Sequence, residues 1–460
     1  MATPICATPQ NTLFLPKITH KYIFMTNQEI FHNAEILFKE KDYTQTLLTL
    51  MKGFIADNQH VPFYQLAGKA LRGLKGYEEA EMFERAIKAF TDWQAFYDLG
   101  YHYVEMGYWD LAIAFLARAN TLNPADVVVA YEYSLALGAR FRLADALHAL
   151  RMTDFASEFW AAYRAFHLSV LLGQDIAEAK IFLRNIREQI YLKTEIADDE
   201  AFALQKLDNL QEIIGRYEAL ETPETHIRDW HFIQYGAAVL DFFEEKEEDI
   251  QVAGGRWVAA WASEESLRNL LEKLKAFCEM SALSFEKILY IADRDAEITA
   301  KLIGKILHLP TEKLTNDNVL TNNTLVVADA ADKFNDWKQL AVKRKGQVTF
   351  AIWQSWLEDV AFCPDVVGVL AQMYNLPWEG GAMRLVDAEN QTFERTEPNF
   401  QNPDAIAKYI SEIVADLSED VFFEENIAFY QKYQALWAGK TKTNRFYFTA
   451  ESPITGSFFQ

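Results

Sequence analysis

Two short acidic stretches follow apolar runs that have the composition of buried strands. One follows the run at 287–291 and the other follows the run at 324–328, and together they contribute four candidate residues: Asp293, Asp295, Asp329 and Lys333. In a parallel sheet, ligands bind beyond the carboxyl ends of the strands. A carboxylate there can coordinate Mg²⁺ or bind a ribose hydroxyl, and a lysine can contact a phosphate. These side chains are therefore the candidate ligand-binding residues of the chain.

The same acids have a second interpretation. Asp293, Asp295 and Glu297 could hold Mg²⁺, or Asp293 or Asp295 could cap the helix that follows, which is the reading we favour. His226 and His231 are separated by five residues, whereas two metal ligands on one helix face are usually four apart. No GxSxG, GxGxxG or Walker pattern occurs. We therefore expect neither a metal nor a cofactor.

The elements that would position these residues alternate along the second half of the chain. Short apolar runs predict strands, and amphipathic stretches between them predict helical crossovers. The predicted strands are 256–261, 287–291, 324–328 and 348–353, and the predicted helices are 263–280, 296–307, 403–417 and 424–438. Residues 387–404 are polar and read as a loop. The pattern predicts an α/β domain with a mainly parallel sheet.

This order of elements resembles a type I phosphoribosyltransferase. In that family one strand leads into a pyrophosphate-binding loop and helix, which here would be residues 291–309. A later strand leads into paired acids and a loop rich in threonine and glycine that holds the ribose phosphate, which here would be 325–332. Residues 363–367 and 377–379 resemble the end of such a domain. The resemblance implies a phosphoribosyl or nucleotide ligand near Asp329.

The chain departs from the family where the phosphate would bind. A single acid, Asp329, stands where the family has two, and the stretch 332–337 contains Phe334 and acids in place of glycines. Backbone N–H groups approach a phosphate closely only where side chains are small. With these departures, the resemblance implies a degenerate relative of the family that is used for binding or structure.

Residues 93–124 have a different pattern, typical of a helical hairpin. Their spaced residues are Phe96, Leu99, Gly100, Tyr103, Gly107, Ala112, Ala119 and Pro124. This order resembles the tetratricopeptide repeat, a hairpin of about 34 residues that stacks into an array. Phe96, Leu99, Tyr103 and Met106 form one apolar stripe at the helical period. Gly107 stands where the first helix must end, a position that favours positive φ.

Weaker copies of the pattern flank this unit. The 12-residue spacing from Gly100 to Ala112 recurs from Gly68 to Ala80, and further hairpins are predicted around 34–47, 131–147 and 160–179. The resemblance covers roughly residues 27–190, and 197–220 is predicted as a capping helix. The resulting division is 1–26 as an N-terminal segment, 27–220 as repeats with the cap, 221–250 as an acidic connector, 251–385 as the α/β domain and 386–460 as C-terminal helices and tail.

Such repeats bind proteins or peptides through the surface of their first helices. The candidate groove residues are Tyr64, Lys69, Tyr97, Tyr101 and His102. For each aromatic residue, packing in the core is the alternative.

Composition bounds the function classes. The chain has 460 residues, a net charge of −22 and 50% hydrophobic residues, which indicates folded domains and disfavours nucleic acid as a partner. Residues 244–249 are mostly acidic; a solvated loop is favoured over a docking patch for a basic partner. No apolar run is long enough to cross a membrane, and no signal-peptide pattern is present. Three widely spaced cysteines (Cys6, Cys278 and Cys363) fit a reducing, cytoplasmic compartment.

Two hypotheses follow from these patterns. The first is a protein-binding adaptor whose repeat groove binds a partner segment, with a non-catalytic α/β domain. The second is a phosphoribosyltransferase-like enzyme or nucleotide-binding regulator that uses the acids at the strand ends. The missing phosphate loop favours the adaptor.

Overall fold

A computed structural model describes residues 25–174, 176–191, 198–220, 227–247, 250–387, 392–418, 420–437 and 444–454. These residues divide into two compact units, the first ending at Pro124 and the second beginning at Ala125. Several residues named above lie outside the described part: residues 1–24, with Cys6, His226, the acids at 248 and 249, and residues 455–460.

The first unit is helical over its described residues. Its helices pair in sequence into three hairpins: α1 (Asn27–Lys39) with α2 (Tyr43–Ala56), α3 (Val61–Gly73) with α4 (Tyr77–Lys88), and α5 (Trp93–Glu105) with α6 (Trp109–Leu122). Polar side chains begin several of these helices. Thr26 forms a capping box with Glu29, and Asp42 and Asp92 accept backbone N–H groups of α2 and α5. The paired hairpins confirm the predicted array of helices in this part of the chain.

Aromatic rings fill the core of the first unit. The ring of Phe54 lies 4.8, 5.7 and 5.1 Å from those of Tyr64, Phe83 and Phe115. Gly100 lets α5 approach α6, since a Cβ atom on it would lie 2.5 Å from Cγ of Leu116. The small residue predicted at this position is therefore required by the packing of the hairpin.

The end of α5 agrees with the prediction in one residue and differs in another. Gly107 has φ of +71°, as expected of a residue that ends a helix. Met106 is 51% exposed, although the sequence placed it in the apolar stripe. Met106 is the C-terminal cap residue of α5 and lies directly before Gly107.

The second unit begins with further helices. They are α7 (Val127–Gly138), α8 (Leu143–Arg151), α9 (Phe159–Leu171), α10 (Ala177–Tyr191), α11 (Asp198–Ala219) and α12 (Ile227–Tyr235). Helix α11 lies within the helix predicted at 197–220. These helices belong to the same compact unit as the sheet that follows.

The strands of the second unit are β1 (Ala238–Asp241), β2 (Glu244–Glu247), β3 (Ile250–Ala253), β4 (Ala259–Trp261), β5 (Lys287–Tyr290), β6 (Thr311–Lys313), β7 (Thr324–Ala330), β8 (Val348–Gln354), β9 (Val366–Leu370), β10 (Met373–Asn375), β11 (Met383–Asp387) and β12 (Thr392–Arg395). Six of them form a sheet in the order β1-β9-β8-β7-β5-β6, and every neighbouring pair in it is parallel. The predicted α/β fold with a mainly parallel sheet is confirmed.

Helices cover and connect this sheet. They are α13 (Glu264–Met280), α14 (Arg294–Leu307), α15 (Pro403–Ser411) and α16 (Val421–Lys432). Ser263 begins α13 with a capping box, and Asp293 begins α14. Strands β7 and β9 are buried along their whole length, which explains their continuous apolar sequences.

Part of the predicted acidic connector at 221–250 is structured and buried. Residues 227–235 form α12, and residues 238–241 form β1, which pairs with β9 at the edge of the sheet. The strand predicted at 256–261 is shorter, because Gly254 and Gly255 both have positive φ and turn the chain before it. The predicted loop at 387–404 contains β12, which pairs with β11.

Candidate functional site

The carboxyl ends of β5 and β7 lie where the order of the strands reverses, a place that we call the crevice. The chain leaves β5 through α14 toward β6 on one side, and leaves β7 toward β8 on the other. Neighbouring strands whose connections diverge in this way form the switch point at which ligands of open α/β sheets bind. Asp293 follows β5, whereas Asp329 lies near the end of β7. The predicted strand ends therefore lie at this switch point.

Asp293 occupies the N-terminus of α14. Its Oδ1 atom accepts the backbone N–H groups of Asp295 and Ala296, each at 2.9 Å. Its Oδ2 atom lies 3.2 Å from Nζ of Lys333. The favoured prediction of a helix cap is confirmed. A protein carboxylate thus takes the hydrogen bonds that a bound anion would receive at this helix terminus.

Lys333 joins the two strand ends. Its ammonium group lies 2.7 Å from Oδ1 of Asp329, in addition to its contact with Asp293. Asp329 is only 6% exposed, and burial raises its pKa to about 6 although the neighbouring Lys333 lowers it. The structure therefore brings together three of the four predicted strand-end residues.

Asp295 makes a separate contact. Its Oδ1 atom accepts the indole N–H of Trp378 at 2.8 Å. Burial raises the pKa of the neighbouring Glu379, and the charge of Asp295 raises it further. From sequence, Trp378 and Glu379 had no predicted role in the crevice. A tryptophan in a loop near strand ends could have indicated this contact, because a buried indole N–H needs a hydrogen-bond acceptor.

The charges of this crevice are largely satisfied by the chain itself. Asp293, Asp329 and Lys333 pair with one another, and Asp295 with Trp378. A phosphate would meet the carboxylates of Asp293 and Asp329 beside a single ammonium group. Among the described residues no group of three or more His, Cys, Asp or Glu has the geometry to hold a metal ion.

A second candidate surface lies on α5 in the first unit. The rings of Tyr97 and Tyr101 stack with centroids 6.0 Å apart, and Trp93 meets Tyr97 edge-on at 6.2 Å. Tyr101 is 41% exposed. Lys69 is exposed on α3, one residue after Gly68, as Tyr101 is one residue after Gly100. Lys69 and Tyr101 therefore occupy equivalent positions of successive hairpins.

Two other predicted groove residues are placed differently. Tyr64 is fully buried in the aromatic core, and its hydroxyl donates to the backbone carbonyl of Asn58 at 2.6 Å. The prediction that Tyr64 faces solvent is therefore wrong, because its ring completes the packing around Phe54. His102 is half-buried, with its ring 5.2 Å from that of Tyr103 and Nε2 4.0 Å from Glu79.

Fold and sites define a protein with paired helices followed by an α/β domain. No protein-family model matches the chain, and no curated protein matches it either. None of the helices in the described ranges is both long enough and apolar enough to span a bilayer.

Proposed function

We propose that the protein is a protein-binding adaptor. In this proposal the first unit binds an extended segment of a partner protein across Lys69, Tyr97 and Tyr101, and the α/β domain performs no chemistry. The observation that carries the proposal is the partly exposed tyrosine stack on α5.

The two faces of α5 support this reading. Its buried face holds Phe96, Leu99, Gly100 and Tyr103, whereas Tyr97 is half-buried and Tyr101 is exposed. Tyrosine rings combine a large apolar area with a polar tip, and they are enriched among the residues that dominate binding energy at interfaces. Lys69, at the equivalent position of the preceding hairpin, adds a positive charge suited to an acidic side chain of the partner.

The crevice of the α/β domain supports the non-catalytic part of the proposal. Asp293 caps α14 with its own carboxylate, and Lys333 is held by Asp293 and Asp329. Neither group is left available for a phosphate without breaking these contacts. We also propose a cytoplasmic location, which the free buried thiols of Cys278 and Cys363 support.

Selection of peptides tests the groove. A displayed library of random peptides is selected on the full-length protein, and the selected peptides are titrated against the double variant Tyr97→Ala, Tyr101→Ala. We expect at least about a tenfold loss of affinity, because truncation of interface tyrosines commonly costs this much or more. Tyr409→Ala is the matched control, since Tyr409 is an exposed tyrosine on α15. Unchanged affinity in the double variant, or failure to select any peptide, would overturn the proposal.

Calorimetric titration tests the alternative enzyme. Phosphoribosyl pyrophosphate with Mg²⁺ is titrated into the wild-type protein and into Asp329→Ala. We expect no binding to either protein. Micromolar binding to wild type that disappears in Asp329→Ala would overturn the non-catalytic reading of the α/β domain without affecting the peptide result.

A further inference from the structure

The C-terminal segment of the second unit, residues 444–454, contains little regular structure of its own. It forms isolated antiparallel bridges, between Asn444 and Val342 and between Phe448 and Val360. Further along, residues 449–454 run against α9, α12 and the buried Arg256. This last part, which we call the terminal strap, is held mainly by side chains of other elements.

Most of these contacts are made to the backbone of the strap. The hydroxyl of Tyr235 donates to the carbonyl of Thr449 at 2.8 Å, and the guanidinium of Arg256 donates to that of Ala450 at 2.8 Å. The amide of Gln234 donates to the carbonyl of Glu451 at 2.9 Å. Hydrogen bonds to main-chain carbonyls can bind an extended segment whatever its side chains are.

Glu451 makes the charged side-chain contact of the strap, beside the buried side chains of Ser452 and Ile454. Its two carboxylate oxygens lie 2.7 and 3.3 Å from the guanidinium nitrogens of Arg164 on α9. Arg164 is itself held in place, because its Nε and Nη2 atoms donate to the side chain and carbonyl of Ser134 on α7, both at 2.8 Å. A guanidinium fixed in this way is preorganised for two-point recognition of a carboxylate.

Gly138 provides the space for this carboxylate. A methyl group at position 138 would overlap Oε1 of Glu451 and Nη2 of Arg164. Gly138 lies in the last turn of α7 and does not have positive φ, so the backbone does not require glycine there. The glycine is therefore explained by the bound carboxylate rather than by the helix.

We propose that Ser134, Gly138 and Arg164 form a carboxylate-recognition site, that Glu451 of the chain's own terminal strap is its resident ligand, and that an extended acidic segment of a partner protein binds there by displacing the strap. The site uses residues of α7 and α9, so it is independent of the tyrosine stack on α5. Arg445, buried against Asp365, keeps the start of the C-terminal segment anchored when the strap leaves.

The charge of Glu451 is maintained in the bound state. Burial would raise its pKa, but Arg164 holds the pKa below its ordinary value. A competing segment must therefore present an ionised carboxylate at the same place and free carbonyls around it. The strap competes at the high effective concentration of a tethered ligand, so the wild-type protein should bind a free peptide only weakly.

Fluorescence anisotropy with a labelled peptide tests the proposal. The peptide has the sequence of the strap, residues 449–454, with a matched peptide in which glutamine replaces the glutamate. We expect the peptide to bind full-length Glu451→Gln at least about tenfold more tightly than wild type, because the resident ligand is weakened. The glutamine peptide should bind Glu451→Gln at least about tenfold more weakly than the glutamate peptide. Equal affinities in either comparison would overturn the proposal.

The glycine supplies the sharpest control. Adding Gly138→Ala to Glu451→Gln should abolish peptide binding, whereas adding Glu412→Gln, a change at an exposed acid beyond α15, should leave it unchanged. Retained binding in the Gly138→Ala protein would place the peptide elsewhere and overturn the proposal.

Hydrogen exchange of the wild-type protein keeps the proposal testable if a variant fails to fold. Saturating peptide should increase exchange at residues 449–454 and leave that of α13 unchanged. No increase would contradict displacement. If the wild-type protein forms a dimer as its concentration rises, the ligand of the site would instead be the strap of a second copy.

Discussion

The described residues of the first unit bury no charged side chain, whereas those of the second unit bury many. The first unit is packed around aromatic rings such as Phe54 and Phe115. The second unit holds distant segments together through buried ions, among them Asp365 with Lys343 and Arg445. The two regions therefore use different interactions to specify their structure.

The difference has consequences for stability and for specificity. Apolar packing is nearly independent of pH and tolerates changes that conserve volume. A buried ion is costly unless its partner is in place, so removing one partner is far more damaging than replacing the whole group. The second unit joins segments that are distant in sequence, and its buried charges define which segments meet. We expect the two units to respond differently to substitution and to pH.

Removal of Asp365 should have the largest effect. Its carboxylate lies 2.6 Å from Nζ of Lys343 and 2.6 Å from Nη2 of Arg445, and it also accepts the N–H of Thr349 at 2.9 Å. Burial would raise the pKa of Asp365, but the two cations hold it below its usual value. Asp365→Ala leaves both cations without this partner, so the free energy of unfolding in urea should fall by about 5 kcal/mol.

A double-mutant cycle isolates the charge effect of Asp365. Combined with Arg445→Met, Asp365→Ala should cost less than the sum of the two single changes, because one uncompensated cation has been removed. Additive losses would show that the contacts are independent and that buried charge does not define this region.

Phe115→Ala tests the first unit. The ring of Phe115 lies 5.1 Å from Phe54, 5.8 Å from Phe83 and 5.6 Å from Tyr103. Loss of such a ring from a core costs about 3–5 kcal/mol. The loss should be the same near pH 5 and near pH 8, since no Asp, Glu, Lys or Arg residue is fully buried in the described part of this unit. A loss that changes with pH would break the contrast between the units.

Local pattern predicted much of this fold. The hairpin at 93–124 follows from its helical period and from Gly107, and the cap on α14 follows from an aspartate before an amphipathic run. Both features depend on residues that are neighbours in sequence. The strand ends were found for the same reason, because each apolar run is followed directly by its acids.

Long-range pairing was not predictable in the same way. Strand β1 has too few residues for a clear period, and its pairing with β9 joins segments more than a hundred residues apart. Neither Asp365 with Arg445 nor Arg164 with Glu451 has a local signal, since a buried charge looks like a surface charge in the sequence. Tyr64 shows the converse error, in which an aromatic residue at a helical position was assigned to a groove and belongs to the core.

Lys333→Met should have a smaller effect that depends on pH. The pKa of Asp329, about 6 in the folded protein, is raised from its ordinary 3.8. Because the carboxyl pKa is raised on folding, the free energy of unfolding falls as the pH rises between these two pKa values. Lys333 limits that loss. Without Lys333 the pKa of Asp329 should rise further. The variant should be about 1–3 kcal/mol less stable than wild type near pH 8, and close to wild type near pH 4, by urea unfolding.

Asp329→Asn in the same background should remove this dependence on pH. If the dependence persists, Asp329 is not its source.

His231→Phe should have the smallest effect above pH 6.5, and its effect below that pH sharpens the contrast between the units. Burial lowers the pKa of His231 to about 3, and its ring lies 5.1 Å from Tyr235 and 6.2 Å from Phe448. The folded protein keeps this ring neutral while the unfolded chain gains a proton below about pH 6.5. Above pH 6.5, His231 therefore does not lower the free energy of unfolding. Below that pH the free energy of unfolding decreases as the pH falls, by at most about 1.4 kcal/mol per pH unit. A phenylalanine at position 231 cannot be protonated, so the variant should lose less stability than wild type between pH 6.5 and 4.

His32→Phe, at an exposed position of α1, should leave the wild-type pH profile unchanged. Equal profiles for the His231 variant and wild type would mean that acid destabilises the second unit through other groups, with the paired carboxylates as the next to test.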